Sequence, residues 1–153
     1  MKIRLLSETA KAPKRATPGS SCWDVYADEP KVIMPGERAL IRLGVSAELA
    51  LGSEIQVRPR SGLAVKNGIT CEGAALLRIT DEGIKWHLGT IDSDYRGEIG
   101  AIIFNLSDTA FEVNVGDRIA QFAHCNILTD DFVLVNEVSA TERGTGGYGS
   151  TGV

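Results

Sequence analysis

The chain is poor in the residues from which metal centres and cross-linked scaffolds are built. Its 153 residues include three cysteines and two histidines. Cys22, Cys71 and Cys125 are odd in number, far apart and free of C-x-x-C spacing. That argues against a disulfide framework or zinc site and makes a reducing cytoplasm the expected location. His87 and His124 have no third ligand at metal spacing and read as ordinary polar residues. No apolar run approaches the roughly 20 residues that a membrane span requires, so no membrane association is expected. A basic excess is missing too: 16 Lys and Arg face 20 Asp and Glu, for a formal net charge of −4. A nucleic-acid scaffold usually shows a basic face, so no nucleic-acid partner is expected, although a few arginines can still converge on the phosphates of a nucleotide. The opening Met1–Ser7 is too short and interrupted for a secretory signal. With 43% hydrophobic and 24% charged residues, the expectation is one soluble domain with one core.

Strand signals fill that domain. From Ala39 to Leu49, apolar Ala39, Ile41, Leu43, Val45, Ala47 and Leu49 alternate with Arg42, Gly44, Ser46 and Glu48, and only Leu40 breaks the period. Ile55 and Val57 alternate likewise, and Ile99 to Leu106 is apolar on both faces, as in a strand enclosed by core. Phe111 to Val115, Ile119 to Ile127 and Phe132 to Val138 add further predicted strands. Pro35-Gly36, Leu51-Gly52, Asn67-Gly68 and Val115-Gly116 mark turns between them, and only Ser61 to Lys66 suits a helical turn. Many short strands in one domain imply an all-β, antiparallel barrel or sandwich. The last 15 residues carry five glycines and no apolar period, so they should order only by binding something.

Five stretches could carry chemistry. In Gly89 to Glu98, Asp92 and Asp94 stand two apart beside Tyr95 and Arg96; in an extended segment both would point to one side. Such a pair can act as a general base, an anchor or a metal contact, or can simply serve a polar turn. Arg143 to Gly152 joins a guanidinium, hydroxyls and glycines whose N–H groups can approach an anion, with Tyr148 as a stacking face. Pro59-Arg60-Ser61-Gly62 ends a strand with a cation and a hydroxyl, as a phosphate contact or a solvated turn. In Gly116 to Gln121, Asp117 and Arg118 make the turn into a strand. Gln121 needs hydrogen-bond partners that a ligand or a neighbouring strand could supply. Asp24, in Pro18 to Ala27, is a carboxylate in an apolar strand and is costly unless paired.

The order of these stretches resembles the five motifs of the trimeric dUTPases. P-G-S-x-x-W-D-V-Y-A, P-R-S-G-L-A, G-T-I-D-S-D-Y-R-G-E-I, G-D-R-I-A-Q and R-G-T-G-G-Y-G-S-T-G span Pro18 to Gly152. The resemblance implies a distorted jelly-roll β-barrel over 1–140, a homotrimer, and a flexible arm over 141–153 closing on a neighbour's site. It implies Mg²⁺-assisted hydrolysis of dUTP to dUMP and pyrophosphate, limiting uracil in DNA and supplying dUMP for dTMP synthesis. Asp92 looks like the base that activates the attacking water, and Asp24 like an acid acting on the water and metal network through intervening waters. The metal itself would be held by the triphosphate and waters, not directly by the protein. Tyr95 would lie under the deoxyribose and exclude a 2′-hydroxyl. Arg60, Ser61 and Gly62 would contact phosphates near the scissile bridge, and Gln121 the α-phosphate. Arg143, Gly149, Ser150 and Thr151 would hold the γ-phosphate end, with Tyr148 stacked on uracil.

Two places depart from the family pattern. Cys22-Trp23 stands where Gly-Tyr is common, a change expected to alter packing, not chemistry. Between Gly68-Ile69 and Gly89 the chain has a longer segment than the family usually has, which reads as an inserted hairpin at about 71–85 with Asp81-Glu82-Gly83 as a three-residue turn. It could leave the base pocket intact, reshape it with Trp86 beside the base, or dock a regulatory protein. The rival activities are a same-fold dCTP deaminase and a pyrophosphatase of altered base preference; the intact D-S-D-Y speaks against the deaminase.

Overall fold

The protein is described from a computed structural model, in which residues 1–71, 78–80, 83–85 and 89–146 are placed; for 78–80 and 83–85 the strands alone are described. Two four-stranded antiparallel sheets form the body. One orders β1 (Lys2–Leu5), β4 (Arg38–Glu48), β10 (Ile99–Asn105) and β6 (Ile69–Cys71). The other orders β2 (Trp23–Tyr26), β12 (Arg118–Asn126), β5 (Ser53–Arg58) and β9 (Gly89–Ile91). A two-stranded ribbon joins β3 (Lys31–Ile33) to β11 (Phe111–Val113). A single cluster closes the space between the sheets: Ile41, Leu43 and Ile103 from the first meet Val25, Ile55 and Phe122 from the second. The period of two in the sequence becomes the two faces of each strand, and the result is the expected all-β, jelly-roll-like architecture.

The turn glycines do what their positions require. Gly36, Gly52, Gly68 and Gly116 all adopt positive φ, between 64° and 87°. Gly68 also ends α1 (Ser61–Asn67), where its N–H closes back on Ala64 and Leu63. Leu40, which broke the alternation, faces outward with Arg38 and Arg42, and its side chain covers Gly100. Among the described residues no helix is long and apolar enough to cross a membrane, and the three cysteines form no disulfide with one another. His124 is exposed; His87 and Trp86 lie outside the described residues.

Three expectations need correction. No strand forms over Phe132 to Val138, where Phe132 is 89% and Leu134 90% exposed. The run is apolar, but among the described residues it pairs with no other strand, and a strand needs a hydrogen-bonding partner. The strand at Phe111 stops at Val113, because Asp117 Oδ2 accepts the Asn114 N–H at 2.8 Å and bends the chain into a turn. A hairpin forms where the insertion is expected, as β7 (Arg78–Thr80) and β8 (Gly83–Lys85), but Thr80 pairs with Gly83. Gly83 therefore belongs to the second strand and not to the expected turn. Cys71, at the expected start of that segment, is fully buried in β6 and pairs with Ile103.

Candidate active site

Asp24 lies in the middle of β2 with 4% of its surface exposed. Such a carboxylate needs partners, and three converge on it. Gln121, opposite it on β12, donates from Nε2 to Oδ1 at 3.0 Å. Arg118 donates from Nη1 to Oδ2 at 3.2 Å, and Arg60 brings Nε to 3.3 Å from Oδ1. Arg118 and Gln121 are three residues apart and would face opposite ways in a regular strand. A register shift between Arg118 and Ala120 inserts one residue and turns both toward Asp24. Arg60, the residue before α1, also donates from Nη1 to the Arg118 carbonyl at 2.8 Å. Ser61 and Gly62 follow in the exposed first turn of α1, whose leading N–H groups have no partner within the helix.

One carboxylate thus lies between two guanidiniums, leaving a positive surface suited to an anion. Arg118 keeps 52% of its side chain exposed. The sequence reading placed Arg118 only in a turn. The register shift that turns it toward Asp24 is set by pairing with β2, and both Ile119 and Ala120 are buried beside it. Trp23 next to Asp24 lies beneath the Arg15 guanidinium, 4.2 Å from the ring centroid, so a cation–π stack covers this departure from the family pattern.

The D-S-D-Y stretch is not extended. Tyr95 N–H donates to the Asp92 carbonyl at 3.2 Å, closing a turn in which Ser93 and Asp94 are the central residues. Alternation therefore does not apply to Asp92 and Asp94, although both remain exposed. The Tyr95 hydroxyl donates to the Glu98 carbonyl at 3.0 Å, and its ring lies over Gly97, where any Cβ would overlap the phenol. Arg96 Nη1 donates to the Ser93 carbonyl at 2.7 Å and stiffens the turn. Asp92 and Tyr95 line a pocket of about 310 Å³ with Leu40, Ile91, Glu98 and Gly100.

The two groups of residues lie apart. Gln121 is level with Arg58 at one end of β5, whereas Ile91 is level with Ile55 and Asp92 continues past it toward Glu54. Four residue steps at about 3.3 Å each put some 13 Å between the two levels, and Arg60 runs on in the opposite direction. One chain therefore does not bring Asp92 to Asp24, Arg60 and Gln121.

In the arm, Arg143 Nε donates to the Gly146 carbonyl at 2.8 Å, a bond within the arm's own turn. Tyr148, Gly149, Ser150 and Thr151 lie outside the described residues. Among the described residues no group of three His, Cys, Asp or Glu could cage a metal ion. Both Asp24 oxygens already accept from protein donors, so the donor set suits a cation carried in by a polyphosphate better than one held by the chain.

Comparison with known proteins fits this geometry. The family model described as dUTPase matches residues 8–152. The deoxyuridine 5′-triphosphate nucleotidohydrolase of a Picosynechococcus species is 46% identical over 154 aligned positions, covering 99% of both chains. That of Helicobacter pylori is 41% identical and covers 100% of this chain and 97% of its own. Among solved structures, the dUTPase of Staphylococcus bacteriophage 80alpha with dUPNHPP superposes with a TM-score of 0.85 at 26% identity, covering 99% and 98%. The dUTPase of S. aureus phage phi11, described as showing a species-specific insert, shares the fold at a TM-score of 0.77, 23% identity and coverage of 92% and 98%. With its motifs on these elements and a match along nearly its whole length, the chain belongs to the dUTPase family.

Proposed function

We propose that this protein hydrolyses dUTP to dUMP and pyrophosphate in the cytoplasm, at sites completed between the copies of a homotrimer. The observation that carries the reading is the separation along β5. Asp92 with Tyr95 and the Asp24–Arg60–Gln121 cluster occupy opposite ends of one strand, so a shared nucleotide requires them from different copies. The exposed apolar run around Phe132 and Leu134, and α1 with no buried residue, supply the surface that association would cover.

Each residue then has a role. Asp92, an exposed carboxylate, takes the proton of the water that attacks the α-phosphate. Tyr95 supports the deoxyribose and leaves no room for a 2′-hydroxyl. Arg60, Ser61, Gly62 and Gln121 receive the α- and β-phosphates, and Arg118 adds charge beside them. Asp24 fixes the two guanidiniums, and its carboxylate would accept from waters around a magnesium ion that the triphosphate would bring. That ion, when bound, supplies neutralisation of phosphate charge. A phi11 phage dUTPase is described with a structural Mg(II) ion. Residues 141–153, with Arg143, Tyr148, Gly149, Ser150 and Thr151, would close over the nucleotide and exclude other water.

The test is pyrophosphate release from dUTP, dTTP, dCTP and UTP by wild type, Asp92→Asn and Gln121→Ala. Wild type should strongly prefer dUTP, and each variant alone should lose at least about 100-fold in turnover. Co-refolding the two variants in equal amounts should restore about a quarter of the wild-type sites, because one in four random pairings joins an intact Asp92 to an intact Gln121. No recovery in mixed trimers would overturn the shared site, and equal turnover of dTTP would show a rebuilt base pocket.

A second role has one observation in its favour. The β7–β8 hairpin is a sheet of its own, outside the strand order of the two main sheets, as a docking element would be. Deleting residues 73–87 separates the readings: a docking element would leave turnover intact, whereas a lid would lose it.

A further inference from the structure

The turn that carries Tyr95 is tied to the body of the protein through one side chain. Glu98 follows Gly97, and its main-chain oxygen is the acceptor of the Tyr95 hydroxyl, at 3.0 Å. Its carboxylate turns the other way, toward β4. There Arg42 donates from Nε to both oxygens, at 3.1 and 3.0 Å, and brings a second nitrogen to 2.9 Å from Oε2. The Gly44 N–H donates to Oε1 at 3.2 Å. A fork of this kind fixes orientation as well as distance.

The carboxylate fills an irregularity. β10 pairs with β4 through Ile99 opposite Val45 and then Gly100 opposite Arg42, so Leu43 and Gly44 are looped out of register. Gly44 takes φ +62° there, and its amide points at Glu98 instead of into the ladder. Arg42 is itself held, since its own N–H donates to Glu29 Oε1 at 2.9 Å and its carbonyl accepts from Asp28 N–H at 2.8 Å. The chain of constraint runs from β4 through Arg42 and the Glu98 carboxylate to the Glu98 carbonyl and the phenol. Glu98, Tyr95 and Asp92 line the same pocket.

We propose that Arg42 and Glu98 are a positioning pair that fixes the Tyr95 ring, and that through it they set how strongly the enzyme rejects a ribonucleoside triphosphate. The inference rests on the dUTP reading given above. Neither residue needs to touch the nucleotide. Without the fork the Glu98 peptide is free to rotate, the phenol loses its acceptor, and the ring can yield to a 2′-hydroxyl. Gly97 leaves the space that the Tyr95 ring occupies, and Gly44 leaves room for Asp28 and Ala10 against β4.

The test compares kcat/KM for dUTP and UTP in wild type, Glu98→Ala, Arg42→Met and Glu98→Gln. Glu98→Ala and Arg42→Met should lower the dUTP-to-UTP ratio by about tenfold or more, chiefly through a lower KM for UTP, while kcat on dUTP stays within about threefold. Glu98→Gln keeps an oxygen for Gly44 and Arg42 and should bring the ratio back to within about threefold of wild type. Arg42 is largely exposed, so its variant remains informative should Glu98→Ala fold poorly. Unchanged ratios in folded, trimeric Glu98→Ala or Arg42→Met, with wild type preferring dUTP, would overturn the positioning pair alone. Wild type that does not release pyrophosphate from dUTP would overturn the functional reading and this inference with it.

Discussion

At the scale of single residues, acids are placed where donors already wait. Asp24 accepts from an amide and the Arg118 guanidinium and lies 3.3 Å from that of Arg60, so a buried carboxylate becomes the anchor that orients the groups around it. Asp28 shows the same logic in a simpler setting. Ser7 and Thr9 donate hydroxyls to its two oxygens at 2.6 and 2.7 Å and hold its carboxyl below the ordinary 3.8. A lowered folded-state value means that the contribution is fully present above the unfolded value and is lost as the pH falls through the folded one. Replacing Ser7 by Ala and Thr9 by Val should therefore weaken the fold by a constant amount at neutral pH, and the gap should close as the pH drops below about 3.8. Urea unfolding at neutral and acid pH measures it; a gap that does not vary with pH would show that the hydroxyls act only by packing.

At the scale of elements, bulges and positive-φ glycines aim the side chains that matter. The bulge in β12 brings Arg118 and Gln121 to one carboxylate, and the bulge in β4 opens the place that Glu98 fills. Gly44 and Gly36 allow a sharp comparison, since both have positive φ but a Cβ at Gly36 meets nothing, whereas at Gly44 it would overlap Asp28 and Ala10. Gly36→Ala should cost about 1 kcal/mol from backbone strain, and Gly44→Ala about 1–3 kcal/mol more from displaced neighbours. Denaturant titration of the two variants decides this, and equal losses would mean that the contacts at Gly44 give way freely. The β5–β12 pairing carries the largest consequence, because its register separates the two halves of the site.

At the scale of the whole molecule, the surface left open by one chain is where the proposed trimer would be joined. Phe132, Leu134 and Val138 stand almost fully exposed on a stretch that reads as a strand, and a second chain would provide the missing edge. Phe132→Asp with Leu134→Asp should shift the protein from trimer toward monomer in sedimentation and remove turnover, while the isolated barrel keeps its β-sheet spectrum. Truncation before Thr141 should remove turnover and leave the trimer intact. A trimeric, active double variant would show that this stretch is not at the interface.

The strands at Arg38–Glu48, Ser53–Arg58, Ile99–Asn105 and Arg118–Asn126, the helical turn at Ser61 and the turn glycines were legible in the sequence, because period, β-branching and φ > 0 are local properties. The motif order marked the candidate residues for the same reason: each lies within a few positions of the glycines and prolines that shape its backbone. Local properties do not contain register. That Arg118 joins Asp24, that Glu98 binds Arg42, and that Asp92 ends up at the far end of β5 from Gln121 follow only from which residues pair across strands distant in sequence. Such pairings are settled by the packing of one core, and no stretch of the chain specifies them alone.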